Sequence, residues 1–503
     1  MARLRPRPTL DPLVVGLFGA AISLIGAGRP SFWYDEAATI SAAYSRSVAQ
    51  LWQMLGDVDA VHGLYYLSMH GWFQVFPATE FWARVPSGLA VGGAAAGVAV
   101  LGRQLSSRAA GLAAGIICAI LPRTTWAGIE ARPYALSMLF AVWLAVALVW
   151  AARRGTRWPW AAYGALLALS ILLDVYLVLL VPVHAVFVLA FQRTRSVAVP
   201  FGVTSALVVG AAAPFVAVVA GQAHQISWIT PIGRRTLEDV AVQQYFDRNP
   251  YFAALAALVA VAAAAVWLWT SRRLERGDRE AVVLALTWLA IPTAAIVGWS
   301  AVAEPLYTPR YLSFTAPAMA LLLGVCVVAV ARLAWLVAAV VAVFGAVSVH
   351  GYTELQRGPY AKYDMDYSQV ADLITAEASA GDCLLVNDTV TFHPAPMRPL
   401  LAARPDAYAK LVDVSLWQRA TELHGVFDTN LIPEASVGPL QRCGTVWVIT
   451  QADPAAPKDE AGVAIPPGPL FGGTRTFAVT HDMGFRLTER WQYSLVQVLK
   501  ATR

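Results

Sequence analysis

Apolar residues in this chain recur in long blocks rather than in alternation with polar ones. The runs 12–28, 85–102, 109–122, 134–151, 158–173, 175–191, 200–220, 251–270, 281–300, 313–331 and 333–349 lack the polar face of a soluble helix and approach the length of a bilayer crossing. Chain in hydrocarbon must satisfy its own backbone, so each run is predicted to be a membrane-spanning α-helix, about eleven in all. The first run continues into Arg29-Pro30 with no small-residue cleavage site, so no cleavable signal peptide is expected. Arginines fill every second loop: Arg103 and Arg108; Arg153, Arg154 and Arg157; Arg193 and Arg195; Arg272, Arg273 and Arg276. Arg3, Arg5 and Arg7 precede the first span. Those loops are expected in the cytoplasm. The loops 29–84, 123–133, 221–250 and 301–312, and everything after His350, then face the other side. The break at Asp174 decides the count, and a miscount of one there moves the tail to the cytosol.

Two other patterns stand out. In 38–55, Ile40, Tyr44, Val48, Leu51, Trp52 and Leu55 recur at helical spacing; in 62–76, Leu64, Tyr65, Leu67, Met69, Trp72 and Phe73 do so. Both stretches are expected to lie along the membrane surface, Trp52 at headgroup depth, and to roof a cavity open to lipid. After His350 the spanning runs end and Pro, Asp, Glu and Lys become frequent. A helix over 367–380, strands at Cys383–Val386 and Thr445–Ile449 and a closing strand within 491–499 predict a small α/β domain over 351–503, behind a membrane module over 1–350.

Composition agrees. Hydrophobic residues make up 58% of the chain and charged residues 14%, and the mean hydropathy is +0.55, too apolar for an ordinary soluble protein. The net charge of +5 arises from loop arginines and does not indicate nucleic acid. Of four cysteines, Cys118 and Cys326 fall in spans. Cys383 and Cys443 each sit at the mouth of a predicted strand; parallel neighbouring strands would allow a disulfide, which sequence leaves open.

Within Phe32-Trp33-Tyr34-Asp35-Glu36, two carboxylates follow the first span directly, a position that marks a functional site. Further along come His62-Gly63-Leu64-Tyr65-Tyr66, Arg84-Val85-Pro86-Ser87, Glu130-Ala131-Arg132-Pro133-Tyr134 and Pro309-Arg310-Tyr311-Leu312. In this order they resemble the GT-C glycosyltransferases. The likeness is to the family-39-like branch, relatives of protein O-mannosyltransferases and lipid A aminoarabinose transferases, over about residues 10–330. Gly63-Leu64 departs from the two prolines usual after the first-loop histidine or lysine. The resemblance implies transfer of a sugar from a polyprenyl-phosphate carrier to an acceptor on the outer face of the plasma membrane. Such a reaction needs a base near the acceptor hydroxyl and cations near the departing phosphate.

On that pattern Asp35 is the base, and Glu36 holds a neighbouring group or tunes it. Arg132 and Arg310 bind the donor phosphate, assisted by Tyr311 and His62, while Tyr65, Tyr134, Trp228 and Asp174 line the substrate cavity. Competing readings are a solvated helix end for the acidic pair, snorkelling anchors for the arginines and aromatic-belt residues for the tyrosines. The loop 225–231 with Arg234 and Arg235 is expected to help close the cavity. His62 and His70 with Glu36 or Asp57 give a weaker metal reading, but closely spaced ligand pairs are lacking and no cofactor is expected. Ala, Arg and Val usage suggests a GC-rich, actinobacterial source, with mannose as the donor sugar and arabinofuranose as runner-up. The acceptor is a glycan or lipoglycan. A lipid-linked sugar flippase is the non-enzymatic alternative.

Overall fold

The computed structural model describes residues 10–154, 156–192, 194–269, 274–387 and 397–503. Arg3, Arg5, Arg7, Arg193, Arg272 and Arg273 lie outside the described residues. The chain divides into two units, neither of them continuous: a first of residues 1–27, 59–65 and 84–355, and a second of 28–58, 66–83 and 356–503.

Helices fill the first unit. Among the described residues seven are long and apolar enough to cross a bilayer: Glu80–Leu105, Tyr134–Arg154, Arg195–Gly221, Pro250–Trp269, Arg276–Val302, Pro309–Val330 and Ala334–Leu355. Four shorter apolar helices, Asp11–Leu24, Arg108–Ile120, Trp158–Leu173 and Val175–Phe191, stand at the remaining predicted spans. The third span stops at Ile120 because Pro122 has no N–H to continue the ladder and starts a new helix, Pro122–Ala127. At Asp174 the backbone turns extended (φ −154°, ψ 110°), and the side chain accepts a bond from Tyr176 N at 3.0 Å, opening the next helix. Asp174 is therefore a true break.

Lipid offers apolar helices no hydrophobic incentive to associate, so close backbone approach through small residues has to supply the contact. Helix 316–330 lies so tightly on helix 108–120 that a Cβ at Gly324 would stand 2.5 Å from the Ala114 Cβ. Glycine is the residue that fits.

The second unit carries a six-stranded sheet of order β2-β1-β3-β6-β5-β4, with β1 Cys383–Val386, β2 Val412–Asp413, β3 Thr445–Gln451, β4 Asp459–Ala461, β5 Arg486–Gln492 and β6 Val496–Thr502. β1 runs parallel to β2 and β3, and the remaining pairings are antiparallel. Cys383 and Cys443 are joined by a disulfide, their Cα atoms 5.9 Å apart, as parallel β1 and β3 permit. One expectation needs correction. The predicted closing strand within 491–499 is the meeting of two strands, because Tyr493 N bonds Val496 O at 2.8 Å and folds β5 back onto β6.

The first outer loop contributes helices to this unit. Rather than one helix over 38–55, there are two, Tyr34–Ala43 and Val48–Asp57, split by Ser47, whose hydroxyl accepts Gln50 N while Gln50 Oε1 accepts Ser47 N. Residues 36–43 of the first are buried, and it packs on helix Arg398–Ala403. The second is amphipathic, with Trp52 75% exposed.

Candidate active site

The acidic pair belongs to the second unit. Asp35 and Glu36 occupy the first turn of helix 34–43, where the positive end of the helix dipole favours negative charge. Asp35 is half-buried and Glu36 wholly buried. The chain before them is stitched to the segment leading into the C-terminal domain: Ser31 N bonds Pro359 O at 2.9 Å, Phe32 N bonds the Ser368 hydroxyl at 3.0 Å, and Ser368 N bonds the Ser31 hydroxyl at 3.1 Å. Trp33 and Tyr363 rings lie 4.6 Å apart. On that segment Arg357 and Lys362 are buried, 4% and 1% exposed. Buried cations beside a stretch with a buried carboxylate are what sequence reasoning missed. Their one sequence signal is a pair of basic residues among tyrosines just after the last span.

Cations and aromatics from the other motifs gather within the first unit. His62 ends a short turn, Ala60–His62, held by Gln222 Oε1 on Ala60 N (2.8 Å) and Gln225 Oε1 on Asp59 N (3.1 Å). Gln225 of the loop expected to help close a cavity, together with Gln222 just before it, thus anchors the turn that carries His62. His62 Nε2 and Arg132 Nη2 are 2.6 Å apart, and Arg132 is buried. Burial and then the Arg132 charge hold the imidazole's pKa well below the usual histidine range, so it is neutral and accepts from the guanidinium.

Two residues on, Tyr134 stacks on Tyr311 with centroids 6.4 Å apart, and Tyr311 meets Tyr176 at 6.0 Å. Arg310 lies 4.8 Å over the Trp228 ring and 5.7 Å over Tyr311, as cation–π attraction favours. Asp174 joins this set through Tyr176 N. The structure thereby links His62 with Arg132, and Tyr134, Tyr311, Arg310, Trp228 and Asp174 with one another; Tyr65 is wholly buried three residues beyond His62.

Other motif residues brace the helices. Arg84 is wholly buried and donates to Ala27 O at 2.7 Å, and the Ser87 hydroxyl donates to Glu130 O at 2.6 Å. His70 Nδ1 lies 2.9 Å from Ala43 O and Asp57 pairs with His424 at 3.1 Å. Among the described residues no three His, Cys, Asp or Glu side chains are grouped to hold a metal ion.

No protein-family model and no curated protein sequence matches the chain. Solved structures do. ArnT from Cupriavidus metallidurans in the apo state gives a TM-score of 0.61 at 12% identity, covering 97% of both chains. The same protein bound to undecaprenyl phosphate gives 0.54 at 13% over 98% of both. The arabinofuranosyltransferase AftD from Mycobacteria gives 0.52 at 14%, covering all of this chain and 40% of its own. At such identities the likeness is one of architecture, and that architecture, a polytopic helical membrane module with a C-terminal α/β domain, is the GT-C fold.

Proposed function

We propose that the protein is an inverting glycosyltransferase that moves a sugar, mannose in our reading, from a polyprenyl-phosphate donor to an extracytoplasmic cell-envelope acceptor such as a lipoglycan. The GT-C fold supports the reaction class. The observation that carries the reading is Arg132, a buried guanidinium 2.6 Å from the uncharged imidazole of His62, a built cationic position of the kind a departing phosphate calls for.

In this reading Asp35 takes the proton of the acceptor hydroxyl as that oxygen attacks the anomeric carbon. The bond from that carbon to the phosphate oxygen breaks, and the lipid phosphate departs with the electron pair. Arg132 and Arg310 meet the charge that develops there, and the anomeric configuration inverts. Glu36, buried one residue on, orients its surroundings. The protein sits in the plasma membrane with this chemistry on the outer side, where a lipid-linked donor replaces a nucleotide sugar.

A flippase needs ionisable groups along its spans. Among the described residues Asp, Glu, Lys and Arg keep to within about a turn of the spanning-helix ends, and the mid-span exception is His184, bonded to Tyr163 at 2.9 Å. Purified protein offered polyprenyl-phosphate mannose and polyprenyl-phosphate arabinose tests the proposal. Parent protein should form glycosylated product and Asp35→Asn, folded, should form none. Product from the variant at the parental rate would remove Asp35 from its role; lipid movement between leaflets without product would favour the flippase; product from arabinose alone would change the sugar.

A further inference from the structure

Within the first unit, Gln244 opens the short helix Gln244–Phe246 in the loop 221–250, and its side chain is wholly buried. An amide carries N–H donors and a carbonyl acceptor, so its burial costs free energy unless both ends are bonded. Here both are. Gln244 Nε2 donates to the hydroxyls of Tyr245 at 2.7 Å, Thr293 at 3.0 Å and Thr315 at 3.3 Å, and Oε1 accepts from the Tyr307 hydroxyl at 3.1 Å. The threonines direct their own protons to backbone carbonyls, Thr293 to Leu289 O and Thr315 to Leu312 O, each at 2.7 Å. They can only accept from Gln244, which fixes the amide's orientation.

Tyr307 and Thr315 stand on either side of Arg310, one just before the turn Pro309–Thr315 and the other at its end. A single side chain therefore grips both ends of the segment that carries Arg310. The entry is fixed a second time by Ser300, whose hydroxyl accepts Leu306 N at 2.9 Å and Tyr307 N at 3.0 Å, and within the turn the Ser313 hydroxyl donates to Arg310 O at 2.6 Å. From this turn the guanidinium reaches over Trp228. Gln244 is itself braced through its backbone: its carbonyl accepts Arg123 Nε at 3.3 Å, and Arg123 pairs with Asp247 at 3.4 Å and lies 4.7 Å over the Trp126 ring. Trp126 in turn is 5.5 Å from Tyr134, which stacks on Tyr311. A buried network bonded on all these sides specifies one arrangement of its members.

We propose that Gln244 is a positioning residue for Arg310: by bonding Tyr307 and Thr315, which flank it, the amide sets where the guanidinium stands. The inference rests on the reading of Arg310 as a contact to the donor phosphate. A guanidinium meets a phosphate through a directional fork, and a displacement of about 1 Å at a reacting centre costs about 100-fold in rate. The loop 221–250 then contributes an aligning group as well as the ring that Arg310 lies over.

The test uses full-length protein in nanodiscs, grown with fluorotryptophan, as parent, Gln244→Met, Tyr307→Phe and Thr315→Val, each made also on Arg310→Ala. The fluorine signal of Trp228, identified by its loss in Trp228→Phe, reports the guanidinium above that ring with no substrate present. Gln244→Met should shift or broaden that signal in the parent background and leave it unmoved where Arg310 is already alanine. Turnover with polyprenyl-phosphate mannose should fall about 10- to 100-fold in Gln244→Met. Added to Arg310→Ala, the same substitution should cost no more than about a further twofold, because a residue that acts through Arg310 then has nothing to act on. Tyr307→Phe and Thr315→Val each remove one bond and should show the same pattern at smaller size, so the comparison stands even where Gln244→Met does not fold. A Trp228 signal that ignores these substitutions, or that moves equally without Arg310, overturns the inference, as does a rate loss repeated in full on Arg310→Ala. A parent whose Trp228 signal behaves as expected but that transfers no sugar counts against the glycosyltransferase reading instead.

Discussion

Three arginines of the second unit and the two candidate-site arginines of the first have different named neighbours. In the second unit Arg398 pairs with Asp413, Arg404 with Glu80 at 2.7 Å, and Arg490 with Glu460 at 2.8 Å, each meeting a carboxylate. In the first unit Arg132 meets an imidazole and Arg310 lies over an indole and a phenol. A carboxylate fixes a guanidinium and offsets its charge; a neutral ring fixes it through a hydrogen bond or cation–π attraction. The first arrangement suits a brace, and the second is the one in which the proposed phosphate contacts would be made.

Substitutions should split along that line. Arg132→Ala or Arg310→Ala is expected to lower turnover about 100- to 1,000-fold, as at other preorganised anion sites, with little change in thermal midpoint. Equal losses of stability and rate would make these arginines braces. Arg398→Met is expected to do the reverse. It removes a buried guanidinium from half-buried Asp413 and Asn430, which should destabilise the second unit by about 1–3 kcal/mol while turnover per folded molecule holds; chemical denaturation followed by tryptophan emission reads it.

Asp366 sharpens the contrast from the acidic side. Buried and without a basic partner among its named contacts, its carboxyl is raised from 3.8 to about 6. The folded state thus holds a proton that the unfolded state releases. That contribution is full below about pH 4, fades as pH rises through 6 and is gone above it, a change of about 3 kcal/mol. Asp366→Asn should flatten the slope of stability against pH between those limits; an unchanged slope assigns it to another group. Least affected should be Arg475→Ala, since Arg475 and Glu434 are 77% and 49% exposed and water already screens them. Its denaturation curve should overlay the parent's.

Much of the membrane module was legible because an apolar block has few alternatives in a membrane. The same property blurred its details: a block pattern does not mark the Pro122 restart, nor show that Ile40 and its alanine neighbours face helix 398–403 and not lipid, since either surface asks for the same residues. In the α/β domain, β1 and β3 were readable from short apolar runs, β-branched in β3. The fold of β5 onto β6 was not, as Tyr493-Ser494-Leu495 carries no Gly or Pro to announce a turn. For the candidate site, the order of motifs named His62, Arg132 and Arg310. It could not show that Arg84 and Ser87 hold helix ends, nor that the chain before the acidic pair is bonded at Ser368, more than 300 residues on.

That distance sets a timetable. Ser31 waits for Ser368, 337 residues later, before helix 34–43 can dock. At about 5–20 residues per second the acidic pair leaves the ribosome roughly 20–70 seconds ahead of the surface that buries it. Over that interval its only local support is the helix it begins. A chain cut short after the last span is expected to display Asp35 and Glu36 on an undocked loop, so completion of synthesis itself acts as the checkpoint for burying the acidic pair.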